Sequence, residues 1–144
     1  MVYTEPRLGC GAAIVAGGRI LLVRRLSDPE AGRWGLPGGK VDLYETVIAA
    51  VEREIREELG IVIKAGKLLC FVDQIDKLQG EHWFAPVFLV SRFTGEPKIL
   101  EPHKHDGMAW FPLDAMPDPL TRSTIVALNA LREAGPTDDR RLAE

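Results

Sequence analysis

The sequence predicts an α/β fold, a mixed sheet covered by helices on both faces. Three observations carry that expectation. Two strand patterns open the chain, a long helical pattern follows, and further strands run into a closing helical pattern. Elements in the order β-β-α, strands, α let each helix cap a different face of one sheet.

The first strand pattern is the small-residue run at 9–16, turning at Gly17-Gly18, and the second spans 19–25 around Ile20-Leu21-Leu22-Val23. Residues 27–39 hold Pro29, Gly32, Gly35, Pro37, Gly38 and Gly39 and read as a turn-rich loop. From about residue 45 to 59 apolar positions recur with helical period, and Gly60 stands where a helix takes its left-handed closing residue. Residues 67–74, 82–92 and 108–111 read as strands. Pro86 has no N–H to give a ladder, so it predicts an edge position or a bulge for the second of these. Residues 120–133 read as the closing helix, with Thr121 or Ser123 near its start. The expected organisation is one domain over 1–134 and a polar, frayed tail over 135–144.

A length of 144 residues, 46% hydrophobic and 27% charged, suits one soluble domain that folds without staples. Cys10 and Cys70 sit in apolar runs and read as free thiols in a reducing cytosol. The first residues lack a basic stretch followed by an apolar one, and no apolar run approaches membrane-spanning length. A cytoplasmic protein is therefore expected. The formal net charge of −3 argues against a nucleic-acid polymer as partner, because such binding wants a basic face. A small anionic ligand would need local help from metal ions and a few basic side chains.

The informative segment is 39–61. On the expected helix Glu54, Glu57 and Glu58 stand at i, i+3 and i+4. At about 100° per residue they share roughly a 100° arc, while Val47, Val51, Ile55 and Leu59 occupy the neighbouring one. Like charges at this spacing oppose the helix by a few tenths of a kcal/mol per pair, so something should neutralise them. A solvated face balanced by Arg53 and Arg56 would do so. A divalent cation held by hard oxygen ligands, Mg²⁺ or Mn²⁺, would do so as well.

The loop before the helix favours the second. Gly39, five residues, Glu45, seven residues, then Arg53-Glu54-Ile55-Arg56-Glu57-Glu58-Leu59-Gly60-Ile61 resembles the Nudix box at each of its fixed positions. The lead-in Trp34-Gly35-Leu36-Pro37-Gly38-Gly39-Lys40-Val41 and the later Trp110-Phe111-Pro112-Leu113-Asp114-Ala115-Met116-Pro117 are also similar to MutT-type members. The resemblance covers about residues 9–134. It departs at Asp42, where many members carry glutamate, and at Tyr44, where glycine usually precedes the box glutamate.

This resemblance implies the Nudix α/β/α sandwich and hydrolysis of a nucleoside diphosphate linked to another group, by attack of water on phosphorus. Carried over by position, it makes Glu54, Glu57 and Glu58 metal ligands together with the Gly38 carbonyl. Glu54 or Glu57 becomes the general base, Arg53 the residue that orients the glutamates, and Glu45 the partner of Arg53. Lys40 could approach the phosphates, orient water, or be a solvated loop charge. Arg24 and Arg25 end the second strand beside the loop as substrate-binding candidates, and strand alternation lets only one of them face the site. A further acidic ligand is expected in a later loop that holds Glu101, His103, His105 and Asp106, with Glu101 the first choice. The two histidines without further spaced ligands are a poor zinc pattern. For the base, Tyr3, Trp34, Tyr44, Phe84 and Trp110 could stack, although Trp110 reads as core. Asp114 and Asp118 flank a turn where related enzymes place base-contacting groups.

The expected activity is a magnesium-dependent, MutT-like cleavage of a nucleoside triphosphate, oxidised or ordinary, to monophosphate and pyrophosphate. The alternative within enzymes is hydrolysis of ADP-ribose or a nucleoside diphosphate sugar. Members with that preference commonly carry a proline about sixteen residues past the box, where this chain reads Ile75-Asp76-Lys77-Leu78. A nucleotide-binding sensor is the alternative outside enzymes, although such domains usually lose box glutamates that this chain keeps. Edge strands and the N-terminal arm leave room for a homodimer.

Overall fold

A computed structural model of the chain describes residues 3–134, so the tail expected at 135–144 lies outside the described residues. The elements are β1 (Arg7–Ala16), β2 (Arg19–Arg25), β3 (Trp34–Gly35), β4 (Gly38–Lys40), α1 (Val47–Leu59), β5 (Val62–Ile63), β6 (Leu68–Asp76), β7 (Glu81–Val90), β8 (Phe93–Thr94), β9 (His105–Pro112) and α2 (Arg122–Ala134). The main sheet runs β3-β2-β1-β7-β6, with β4 also on β1 and β9 also on β2. β1 and β7 are parallel and the other pairs antiparallel, so the sheet is mixed as expected. A separate ribbon of β5 and β8 has no counterpart in the strand patterns of the sequence.

β1 and β2 pair only beside their turn, at Val15↔Ile20 and Ala16↔Arg19, and then splay apart. The segment read as a loop fills the gap. Trp34–Gly35 pairs with Val23 and Arg24, and Gly38–Lys40 pairs with Gly9–Gly11. A Cβ on Gly38 would overlap the Cys10 carbonyl, so only glycine fits this wedge.

Alternation along the strands sorts the core into two faces. Cys10, Ala12, Ile14, Leu21 and Val23 pack with Ala50, Val51, Ile55 and Leu59 of α1. Ala13, Val15, Ile20 and Leu22 pack with Ala127 of α2 on the other face. The result is the α/β/α sandwich. Val51, Ile55 and Leu59 are fully buried, and each such side chain contributes about 1.5–3 kcal/mol relative to exposure.

The helix starts two residues later than the pattern suggested, because the Thr46 hydroxyl accepts from the Ala49 N–H at 3.1 Å and caps it. Gly60 closes the helix in the left-handed region at φ 70°. Thr121 caps α2 by accepting from the Thr124 N–H at 3.3 Å. Pro86 requires a correction. β7 lies between β1 and β6, so it is an interior strand. The proline is accommodated because the β1–β7 pairing skips from Leu8↔Phe84 to Gly11↔Val87, leaving Pro86 unpaired towards β1 while it stays opposite Phe71 of β6. The only register shift in the β6–β7 pairing falls elsewhere, between Leu68 and Cys70.

Candidate active site

Arg53 is the centre of the acidic face of α1. Its Nε and Nη2 donate to the two Glu45 oxygens at 2.8 and 2.9 Å. Its Nη1 donates to Glu54 at 3.0 Å and to Glu57 at 3.2 Å, and Nη2 also donates to the Lys40 carbonyl at 3.0 Å. All five guanidinium N–H groups therefore have acceptors, which a lysine could not reproduce. The Asp42 carboxylate adds an ion pair at 3.4 Å. These bonds hold Glu45 down at about 2, first through the Arg53 hydrogen bond, and they raise Arg53 above the usual guanidinium range. The like charges on the helix are thus neutralised from within the chain, and the Arg53–Glu45 pair expected from the box is present.

The glycine wedge touches this cluster. A Cβ on Gly39 would overlap the Glu54 carboxylate, so glycine is required for the close approach of strand and helix. The Gly38 N–H donates to Glu58 Oε1 at 3.0 Å. Cys10 donates its thiol to the Gly39 carbonyl at 3.6 Å, and burial pushes that thiol up to about 11, which keeps it protonated.

Glu58 is only 3% exposed. Its other oxygen lies 3.3 Å from Nε2 of buried His105. Burial pushes Glu58 up to about 8, with further help from Glu54 and Glu101. Burial, then the neighbouring Arg25, pushes His105 down. Both partners are driven toward their neutral forms, so the contact is not an ion pair at neutral pH. The Leu100 N–H donates to the Glu58 carbonyl at 3.0 Å and brings the later loop alongside. There Glu101 Oε1 is buried without a hydrogen-bond partner, 3.4 Å from the Lys104 ammonium, and His105 Nδ1 is likewise unpartnered.

Among the described residues no three His, Cys, Asp or Glu side chains stand as a closed metal cluster. Glu54 and Glu57 bond to Arg53, and Glu58 bonds to Gly38. The donor chemistry nonetheless fits a hard divalent cation: three carboxylates stand in the second half of α1, and the Glu101 oxygen is buried without a hydrogen-bond partner. His103 is exposed and Asp106 is tied to Arg24, so neither joins this group.

A cleft of about 640 Å³ lies on the α2 side of the same wedge, with Gly38, Gly39 and Lys40 in its wall. None of the box glutamates lines it, so the glycines form a partition shared by cleft and acidic cluster. Lys40 is an exposed wall residue. Arg25 also lines the cleft, but its Nε is held by the Pro29 carbonyl at 2.9 Å. Arg24 points elsewhere. It forks onto Asp106 at 2.7 and 3.1 Å and lies outside the lining, as alternation requires of one of the pair. Asp118 is exposed and also outside the lining, where Thr121 and Ser123 stand instead. Of the aromatics considered for stacking, Trp34 packs edge-on to Phe111, Trp110 stacks on Phe93, Phe84 leans on Phe71, and Tyr44 is in solvent. None of these, nor Tyr3, lines the cleft; Trp83 does. The sequence offered no signal for Trp83, since strand pairing alone sets which side of the sheet it faces. His105 was within the loop considered, yet its burial against Glu58 depends on the fold.

Together these features describe a hydrolase domain whose acidic helix is ordered by an arginine and separated from a ligand cleft by a strip of glycines. The NUDIX domain family model matches residues 5–131. The chain belongs to the Nudix hydrolase family. It is 34% identical over 132 residues to the CTP pyrophosphohydrolase of Escherichia coli, covering 88% of this chain and 94% of that one. It is 36% identical over 97 residues to the ADP-ribose pyrophosphatase of Methanocaldococcus jannaschii, covering 67% of this chain and 57% of that one. Among solved structures, a MutT Nudix hydrolase from Burkholderia pseudomallei superposes with a TM-score of 0.87 at 57% identity, over 88% of this chain and 98% of that one. Among the described residues no helix is long and apolar enough to cross a membrane.

Proposed function

We propose that this Nudix hydrolase is a magnesium-dependent pyrophosphohydrolase that cleaves a nucleoside triphosphate to a nucleoside monophosphate and pyrophosphate. The observation that carries the proposal is the glycine partition, with a cleft on one side and the Arg53-ordered carboxylates on the other. Such a wall brings a phosphate chain in the cleft within reach of the acidic cluster. The named activity of the E. coli relative, which matches nearly end to end, agrees with it.

Glu54, Glu57 and Glu58, with Glu101 and the Gly38 carbonyl, are the groups that would hold Mg²⁺ or Mn²⁺. When bound, the ion neutralises phosphate charge and makes a water easier to deprotonate. Glu54 and Glu57 are the carboxylates available to take the proton of the attacking water. Glu57 is the more open, with half its side chain exposed against 11% for Glu54. Water oxygen bonds to phosphorus as a phosphoanhydride P–O bond breaks, and pyrophosphate departs. Arg53 holds the glutamates in register throughout, and Lys40 contributes a positive charge at the cleft wall.

The same chemistry would serve ADP-ribose, and the named activity of the M. jannaschii relative favours that second reading. A Mg²⁺-dependent screen over ordinary and oxidised (d)NTPs, ADP-ribose, sugar nucleotides and dinucleoside polyphosphates, with products separated by chromatography, decides between them. Monophosphate plus pyrophosphate from a triphosphate is the expected result. Cleavage of ADP-ribose alone would overturn it, and tight binding without cleavage would leave a sensor.

A further inference from the structure

The cleft has an end that the catalytic reading leaves unused. Arg7, at the start of β1, lies against two aromatic rings: its guanidinium carbon is 3.9 Å from the Tyr3 ring centre and 4.0 Å from that of Trp83. Arg7 and Trp83 are register partners across the parallel β1–β7 pair, and Trp83 is in turn the partner of Gln74 on β6. The row Arg7, Trp83, Gln74 faces the cleft. Trp83 is itself fixed, because its indole N–H donates to Glu81 at 2.9 Å. Among the described residues no hydrogen bond or ion pair occupies the guanidinium edge of Arg7.

Two rings this close to the guanidinium carbon leave the N–H edge as the part of Arg7 open to a ligand. That edge presents parallel N–H groups and fits two acceptors lying side by side in one plane. Phosphate is one such partner, but the neighbours oppose it. Asp76 and Glu81 line the same end of the cleft with Gln74 and Gln79, so a second negative charge would meet two carboxylates. A neutral planar ring with adjacent acceptors meets no such penalty.

We propose that Arg7, clamped between Tyr3 and Trp83, is a specificity-determining residue that reads two adjacent acceptors on the nucleobase. Such edges are O6 and N7 of guanine, and O2 and N3 of cytosine. Uracil presents an N–H at N3, and 8-oxoguanine presents an N–H at N7, so each interrupts the acceptor pair. The clamp fixes the fork before the ligand arrives, which spares the ordering cost of a free arginine. This assignment rests on the cleft being the nucleotide site.

Calorimetric titration of CMP, UMP, GMP and 8-oxo-GMP tests it without requiring turnover. The wild-type protein is expected to bind CMP over UMP, or GMP over 8-oxo-GMP, by about tenfold or more, a bidentate contact being of that order. The pair that shows the preference names the base. Arg7→Ala and Arg7→Lys, the latter keeping charge without the planar fork, should bring that ratio close to one. In turnover the loss should fall on KM for the preferred triphosphate, with base-free ribose 5-triphosphate unaffected. Equal wild-type affinity within both pairs overturns the proposal. So does a ratio that survives both substitutions, or an equal loss on the base-free compound, which would make Arg7 a phosphate contact. Base discrimination that depends on Arg7 without hydrolysis of any triphosphate would overturn the pyrophosphohydrolase reading and leave this one standing.

Discussion

The two helices have the same length and cap opposite faces of one sheet, yet they bury different things. α2 buries Ala127, Leu128 and Thr124. Its one buried hydroxyl is satisfied locally, 2.8 Å from the Thr121 hydroxyl and 3.3 Å from the Trp34 carbonyl. α1 buries Ala50, Val51, Ile55 and Leu59 on one stripe, and Glu54 and Glu58 beside them. Those carboxylates need the adjacent Arg53, a backbone N–H from β4 and an imidazole from the start of β9. Burying charge costs several kcal/mol per ion unless it is compensated. A helix that only had to cap the sheet would use apolar residues there, as α2 does. The difference separates a helix selected for packing from one that gives up stability for a site.

Substitutions on the two helices should therefore part company. Glu57→Gln keeps size and leaves the apolar stripe alone. It should cut kcat by about 10²–10⁴-fold, the usual worth of a positioned base, while stability changes by no more than about 0.5 kcal/mol. Leu128→Ala on α2 should cost about 2–4 kcal/mol of stability through lost burial and a cavity, with kcat per folded molecule unchanged. Urea unfolding and single-concentration turnover on the same preparations measure both. Equal losses of stability and activity in Glu57→Gln would make that glutamate structural and erase the contrast.

The pH dependence sharpens it further. Glu58 is pushed up to about 8 by burial, above the ordinary carboxyl range it has when unfolded. Between those limits the native state keeps a proton that the unfolded chain has released. The stability this provides is fully present below the unfolded value and is lost as pH rises through 8. Metal-free protein in a chelator should lose stability from pH 6.5 to 8, with a slope on the order of 1 kcal/mol per unit, while below pH 6.5 the lowered His105 works in the opposite direction. Glu58→Gln should flatten that slope. A wild-type profile already flat across this window would mean that Glu58 ionises freely in the fold.

How much of this was visible in the sequence depended on range. The bounds of β2 and the carboxylate face of α1 each lie within a short stretch of chain, and local periodicity and spacing revealed them, whereas the Arg53–Glu45 pair came from the resemblance to the Nudix box. Strand alternation anticipated that only one of Arg24 and Arg25 would face the cleft, although not which. What escaped was set by distant pairing. The loop at 27–39 is partly sheet because β1 and β2 splay and leave a gap, which no local pattern announces. Pro86 lies in an interior strand because the β1–β7 pairing skips its position while keeping register, from Leu8↔Phe84 to Gly11↔Val87. His105 reaches Glu58 only because β9 adds to β2 and carries the loop before it back to α1. Trp83, rather than any aromatic singled out from the sequence, lines the cleft because β7 runs parallel beside β1.

The smallest effect concerns the one position where the chain departs from its family in a strained way. Tyr44 sits at φ 67°, in the left-handed region where the family usually has glycine, and it is almost fully exposed at 97%. A non-glycine residue there costs about 1–2 kcal/mol, and an exposed ring recovers little by packing. Tyr44→Gly should accordingly stabilise the fold by up to about 1 kcal/mol after the extra freedom of glycine in the unfolded chain is subtracted. Differential scanning calorimetry should show a rise of a few degrees in Tm. Glu45 follows directly and anchors Arg53, so the same change also asks whether strain in this loop serves the acidic helix. If Tm rises with kcat/KM unchanged, the tyrosine is a tolerated local cost on the loop. If Tm rises and kcat/KM falls together, the strained turn holds Glu45 in place for the site, and the division between packing helix and working helix extends into the loop that leads to α1.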